Sequence, residues 1–271
     1  MGLIRRLLNR LLTGPVLALP TEPIPSFWAE VIAQRVPLSS QLDDRDRVRL
    51  LRLTQLFIRE VPMEGCGGLE LTDEIRVTIA ATASLLLLGL PYPRFPGLRR
   101  VLVYPDTFVP LRIVPYRSQA LQEAPMPELG EAWRDGIVVL SWNEIRDGGA
   151  KERDGRNVVL HEFAHVLDFE DGASDGRPVL DSAQAMAAWA TILKREFERQ
   201  QAAAETAGDT DLDPYAVTNR AEFFAVATEA FFETGQRLRA RLPALYEQLR
   251  AFYRQDPASR AGESAPPDHG L

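Results

Sequence analysis

The chain has 271 residues, 45% of them hydrophobic and 25% charged, which is enough apolar material for one large core or two smaller ones. A net charge of −7 and a pI near 5.2, with no basic cluster interleaved with aromatics, argue against a nucleic-acid surface. The single cysteine excludes an internal disulfide and fits a reducing compartment.

The chain opens with Met1-Gly2-Leu3-Ile4-Arg5-Arg6-Leu7-Leu8-Asn9-Arg10-Leu11-Leu12, a basic amphipathic stretch. Arg10 interrupts any signal-type apolar run and no A-x-A-like cleavage site follows, so the stretch reads as an arm suited to a membrane surface or a docking role. Helices are expected over 28–34 and 44–59. The apolar run 77–90 falls below the roughly 20 residues that span a bilayer and reads as a core helix ending at Gly89, before Pro91. The clearest break in composition is Pro91-Tyr92-Pro93-Arg94-Phe95-Pro96-Gly97. Two strand-like runs follow, 100–104 and 137–142, separated by a long Pro-rich loop over 105–128; loops of that length are usually functional. The second run precedes the most informative segment of the chain. It is a candidate edge for laying down a peptide substrate, with a plain core strand as the equal alternative.

That segment is His161-Glu162-Phe163-Ala164-His165, an H-E-x-x-H pattern that uses two of only three histidines. On an α-helix, residues four apart share a face about 6 Å along the axis, so His161 and His165 can present imidazole nitrogens to one ion. Zinc takes such nitrogens at about 2.0–2.1 Å and keeps one position open in catalytic sites. Glu162, one residue on, stands beside that ion, placed to take a proton from an activated water. Asn157 leads in, apolar Val159, Phe163, Val166 and Leu167 recur at helical spacing, and Asp171-Gly172 closes the helix. The bland alternative, a helix whose histidines are merely solvated or packed, leaves the apolar neighbours of the triplet unexplained.

A third protein ligand is needed, and three carboxylates compete. Asp171 stands where an extended H-E-x-x-H-x-x-G-x-x-H run would place its last ligand, but Asp168 occupies the glycine position. Glu222 and Glu229 lie seven apart in Ala221-Glu222-Phe223-Phe224-Ala225-Val226-Ala227-Thr228-Glu229-Ala230-Phe231-Phe232, a buried helix where a carboxylate is costly unless neutralised. Spacing does not choose between them. It suggests one ligand and one supporting partner. Asp168, on the ligand face, can orient an imidazole, cap the helix end or pair with an arginine. Cys66 has no C-x-x-C partner and reads as a small loop or core residue, and His269 reads as solvated. Helices are further expected over 184–203 and 242–253. The acidic turn 208–214 lacks the EF-hand pattern and reads as solvated.

The run Asp213-Pro214-Tyr215-Ala216-Val217-Thr218-Asn219-Arg220-Ala221-Glu222-Phe223-Phe224-Ala225-Val226, with the H-E-F-A-H helix upstream and Phe252-Tyr253-Arg254-Gln255-Asp256-Pro257 downstream, resembles the Mlc titration factor A family of bacterial zinc peptidases. Their active-site layout is of the gluzincin type and similar to that of the lethal-factor toxins, with a tyrosine seven residues before the ligand glutamate. The resemblance implies that Glu222 completes the metal set with His161 and His165, and that Tyr215 stabilises the oxyanion of the tetrahedral intermediate. It also implies aminopeptidase-like activity and binding of a transcriptional repressor of the Mlc type that controls sugar uptake. It runs from about residue 25 to 257.

The expected protein is an α+β, zincin-like metallopeptidase, mostly helical with a small sheet beside the H-E-x-x-H helix. Its expected divisions are an arm at 1–20, a helical region at 21–96, a catalytic region at 97–257 and a disordered tail at 258–271. It is expected to be cytoplasmic, to hold one Zn2+ on His161, His165 and Glu222, and to hydrolyse peptides with Glu162 as base and Tyr215 as helper. The alternative is a regulatory protein whose main business is the repressor.

Overall fold

The computed structural model describes residues 19–106, 136–150, 155–206 and 210–260, with the backbone alone over 147–150. The basic arm, the Pro-rich loop beyond residue 106 and His269 lie outside the described residues.

Helices α1 (Phe27–Arg35) and α2 (Asp44–Glu60) are joined by the 3-10 turn Pro37–Gln41. Asp43 opens α2 by accepting a hydrogen bond from the Asp46 amide, and Leu50, Leu53, Leu56 and Phe57 form its buried stripe. Strand β1 (Met63–Gly65) precedes α3 (Asp73–Leu85), which Thr72 caps at the Ile75 amide.

The expectation that this apolar helix runs to Gly89 is corrected: it stops at Leu85. Leu86, Leu87 and Leu88 bond back only three residues, tightening the chain into turns. The carbonyls released there find distant partners instead. Leu85 O accepts from Gln255 Nε2 at 2.9 Å, and Leu88 O accepts from Arg49 Nε at 2.8 Å. Gly89 is held where a Cβ would lie 2.3 Å from Tyr253 O, a spacing only glycine allows.

Strands β2 (Arg100–Tyr104) and β3 (Ile137–Ser141) complete a parallel sheet of order β1-β2-β3. Register pairs Val101 with Val138 and Val103 with Leu140, and all four side chains are buried. That is the alternation of a strand with one face in the core. β3 ends one residue earlier than its apolar run suggests, because Trp142 opens α4 (Trp142–Ala150) while Ser141 Oγ accepts from the Glu144 amide.

Helix α5 (Val158–Asp168) packs against β3 and α3, and everything from Val159 to Asp168 in it is buried. Phe163 anchors it among Phe57 and Phe95, at ring-centroid distances of 5.6 and 4.6 Å. Such pairs contribute about 0.5–1.5 kcal/mol each beyond area burial. The 3-10 turn Phe169–Asp171 then ends at Gly172, whose φ of 87° supplies the left-handed stop that Asp171-Gly172 announces.

Helix α6 (Ala183–Glu205) and the 3-10 turn Pro214–Val217 lead to α7 (Arg220–Glu233), which lies against α5. Helices α8 (Gly235–Arg241), α9 (Pro243–Tyr253) and α10 (Pro257–Arg260) complete the described residues. The tail expected to be disordered from 258 is ordered through Arg260, because Ala258 is buried and its amide donates to Tyr246 Oη at 3.1 Å. Arg260 also pairs with Asp46 at 2.8 Å. One apolar core draws on residues from Ile32 to Ala258, on both sides of position 96. The class is α+β, mostly helical with one small sheet, as the sequence indicates. No helix among the described residues is long and apolar enough to cross a membrane.

Candidate metal centre

The centre is built where α5 and α7 face one another. Asn157 caps α5 by accepting from the Leu160 amide at 3.1 Å, which starts the helix so that His161 and His165 project from one face. Asn219 caps α7 in the same way, accepting from the Glu222 amide at 3.0 Å. Glu222 thereby sits in the first turn, where the helix dipole favours a carboxylate.

His161 Nε2, His165 Nε2 and a Glu222 oxygen converge as the metal-capable group among the described residues, and all three residues are buried. His161 Nε2 and Glu222 Oε2 are 3.0 Å apart, the two Nε2 atoms 3.2 Å, and His165 Nε2 and Glu222 Oε2 3.4 Å. Tetrahedral bonds of about 2.0–2.1 Å place ligand atoms about 3.3 Å apart, so these three separations match three edges of a zinc tetrahedron. Among the described residues these three are the donors at the site, which would leave a fourth corner for solvent or substrate. The residues therefore fit a catalytic rather than a closed structural zinc site.

The tautomer agrees with that use. Glu229 Oε1 accepts from His161 Nδ1 at 2.7 Å, which keeps a proton on Nδ1, so that loss of the other ring proton to an incoming metal would leave the Nε2 lone pair facing the cluster. The other oxygen of Glu229 accepts from the Asn157 backbone amide at 2.5 Å, and Asn157 Nδ2 donates to Glu233 Oε1 at 2.8 Å. Glu229 and Glu233 together bind the start of α5 to α7. Of the two buried carboxylates that spacing left open, Glu222 joins the cluster and Glu229 stands behind His161.

The three side chains shift one another's titration strongly. Burial works against charge on His161, but contacts with Glu222 and Glu229 outweigh it and raise its pKa to about 10. His165, more deeply buried and next to His161, falls to about 4. Glu222 is pushed up by burial and pulled down further by the two imidazoles, to about 2.

Glu162 is buried at 6% exposure, next in sequence to His161. Tyr215 lies on the turn Pro214–Val217, its ring centroid 6.0 Å from that of His161, and is 46% exposed. Burial, then the negative charges of Glu222 and Glu162, raise the Tyr215 pKa, so its phenol stays protonated as a hydrogen-bond donor. Asp171 stays outside the cluster, its Oδ1 accepting from the Ala173 amide at 3.0 Å.

Asp168 does not serve an imidazole through any contact seen here. Its Oδ2 accepts from the Gly176 amide at 2.9 Å, which ties the loop after α5 back to the helix end. Cys66 is a half-buried loop residue whose amide donates to Val103 O, as a small loop cysteine would be. Sequence reasoning missed Arg156 and Glu233. Arg156 binds Asp213, which itself accepts from the Tyr215 amide at 2.9 Å. The available signal for Glu233 is its place four residues after Glu229, on the same helix face.

The profile of the glucose-regulated metallo-peptidase M90 family matches residues 12–254. An uncharacterized protein of Synechocystis sp., slr2042, is 38% identical over 236 residues, covering 87% of this chain and 86% of its own. Proteins called Mlc titration factor A are similar as well. That of Serratia proteamaculans is 31% identical over 86% of this chain and 88% of its own, and that of Klebsiella pneumoniae 30% over 90% and 91%. These matches fit the zincin-like class expected from the motif. With the match spanning both metal-facing helices, the chain belongs to the glucose-regulated metallo-peptidase M90 family.

Proposed function

We propose that the protein is a zinc-dependent peptidase of aminopeptidase-like character. The observation that carries this reading is the convergence of His161, His165 and Glu222 at tetrahedral edge spacing, with Glu162 alongside. Zinc held there would supply a Lewis acid that polarises the scissile carbonyl and acidifies water. Glu162 accepts the proton of the attacking water and returns it to the amine nitrogen as the C–N bond breaks. Tyr215 donates its hydroxyl to the carbonyl oxygen as negative charge gathers there. Glu229 keeps His161 in the tautomer and orientation that the ligand set requires. Aminopeptidase character follows the Mlc titration factor A resemblance.

Strand β3 is the proposed substrate edge. Among the described residues it ends the sheet order beside α5, and with Val138 and Leu140 turned into the core its backbone edge is the part proposed for pairing.

The test is metal analysis combined with hydrolysis of a panel of amino-acid anilides. We expect one zinc per chain, activity removed by a chelator and restored by zinc, and a Glu162→Gln variant that keeps zinc while losing at least a hundredfold in kcat. Full turnover by that variant overturns the mechanism. The name of the relatives, Mlc titration factor A, favours a second role, binding of a partner of the Mlc type, which the family resemblance takes to be a transcriptional repressor. Co-purification of Glu162→Gln with such a repressor would separate that role from catalysis.

A further inference from the structure

Tyr215 is the least anchored member of the proposed site, being half exposed and touching His161 only ring to ring. Its position is set by the backbone of its turn. Within that turn Ala216 is fully buried as a plug, and Pro214 fixes the entry. Asp213 controls the turn's start. Its Oδ1 accepts from the Tyr215 amide at 2.9 Å, while its Oδ2 accepts from Arg156 Nε at 2.8 Å and from Arg156 Nη2. Arg156 immediately precedes Asn157, the cap of α5, whose amide Glu229 already holds.

We propose that Arg156 and Asp213 form a latch that positions the Tyr215 turn over the metal centre by tying it to the start of the H-E-x-x-H helix. The two residues are 57 apart in sequence, so the latch joins segments that neither local turn chemistry nor the helix cap would hold together. Arg156 is 71% exposed and Asp213 23%, and ion pairs of that exposure contribute little to global stability. Its value lies in placing a hydroxyl, where small displacements are costly. The inference rests on the role proposed for Tyr215, and its test separates the two.

The experiment compares Arg156→Ala and Asp213→Asn, each with Tyr215 intact and with Tyr215→Phe, and follows the Tyr215 amide by hydrogen exchange in metal-free protein. We expect Arg156→Ala to lower kcat about tenfold or more, with KM and zinc content unchanged, and to add no further loss in the Tyr215→Phe background. Arg156→Lys should restore part of the loss. The Tyr215 amide should exchange about tenfold faster in both latch variants, while amides of α7 are unaffected. Equal losses in the two backgrounds, or unchanged exchange at Tyr215, overturn the latch. If the wild-type protein hydrolyses no peptide, the peptidase reading fails and the exchange measurement alone still decides the latch.

Discussion

Replacing Asp168 by Asn should change how stability depends on pH, because this carboxyl is wholly buried at the end of the metal helix. It keeps only backbone partners: Oδ2 accepts from Gly176, and Oδ1 has no partner among the described residues. Burial, partly offset by the backbone contact and reinforced by Asp175, raises its pKa from 3.8 to about 7. A raised folded-state pKa means that the native protein holds this proton longer than the unfolded chain does. The associated stability is therefore full below about pH 4 and is lost as pH climbs through 7. At about 1.4 kcal/mol per pH unit, the interval amounts to about 4 kcal/mol in full and about 3 kcal/mol between pH 5 and 8. Asparagine is neutral throughout and keeps an oxygen for Gly176. Urea unfolding of chelator-treated protein at pH 5 and pH 8 should show the wild type losing about 3 kcal/mol more than Asp168→Asn over that range. Parallel pH profiles would refute the argument that an ionised, unpaired carboxylate is being forced into the core.

Three further outcomes follow from the same geometry. Glu229→Gln removes the charge from both contacts and sets an amide NH2 against one of the two N–H donors, and it should weaken zinc about ten- to a hundredfold, read by competition with a chromophoric chelator. Glu222→Ala removes the only carboxylate in the donor cluster and should drop zinc below stoichiometric levels after dialysis; full retention would reassign the ligand set. Gly176→Ala should cost about 1–3 kcal/mol in urea unfolding, since φ there is +73° and the new Cβ would lie 2.3 Å from Arg220 O.

The metal-facing helix could be read from sequence because its evidence is local: an N-cap, an apolar period and two histidines four apart. The buried helix with Glu222 and Glu229 was readable for the same reason, and their seven-residue interval put both on one face. Which carboxylate meets the imidazoles was not local information. It depends on how α7 docks on α5, with Asn157 pinned by Glu229 from 72 residues away. The early end of α3 is of the same kind, set by Gln255 and Arg49 rather than by the Gly89 and Pro91 nearby. Strand β1, at three residues, is too short to show any period and exists through its pairing with β2. The Arg156–Asp213 contact likewise had no signature in either segment alone.

Helix α7 is enclosed on all sides from Ala221 to Phe232. A segment with no outward surface offers evolution almost no neutral substitutions, since any exchange alters volume or polarity against close-packed neighbours. Laboratory libraries meant to retune what this protein acts upon should leave those twelve positions alone, together with Tyr215, Asp213 and Arg156, and diversify exposed positions elsewhere.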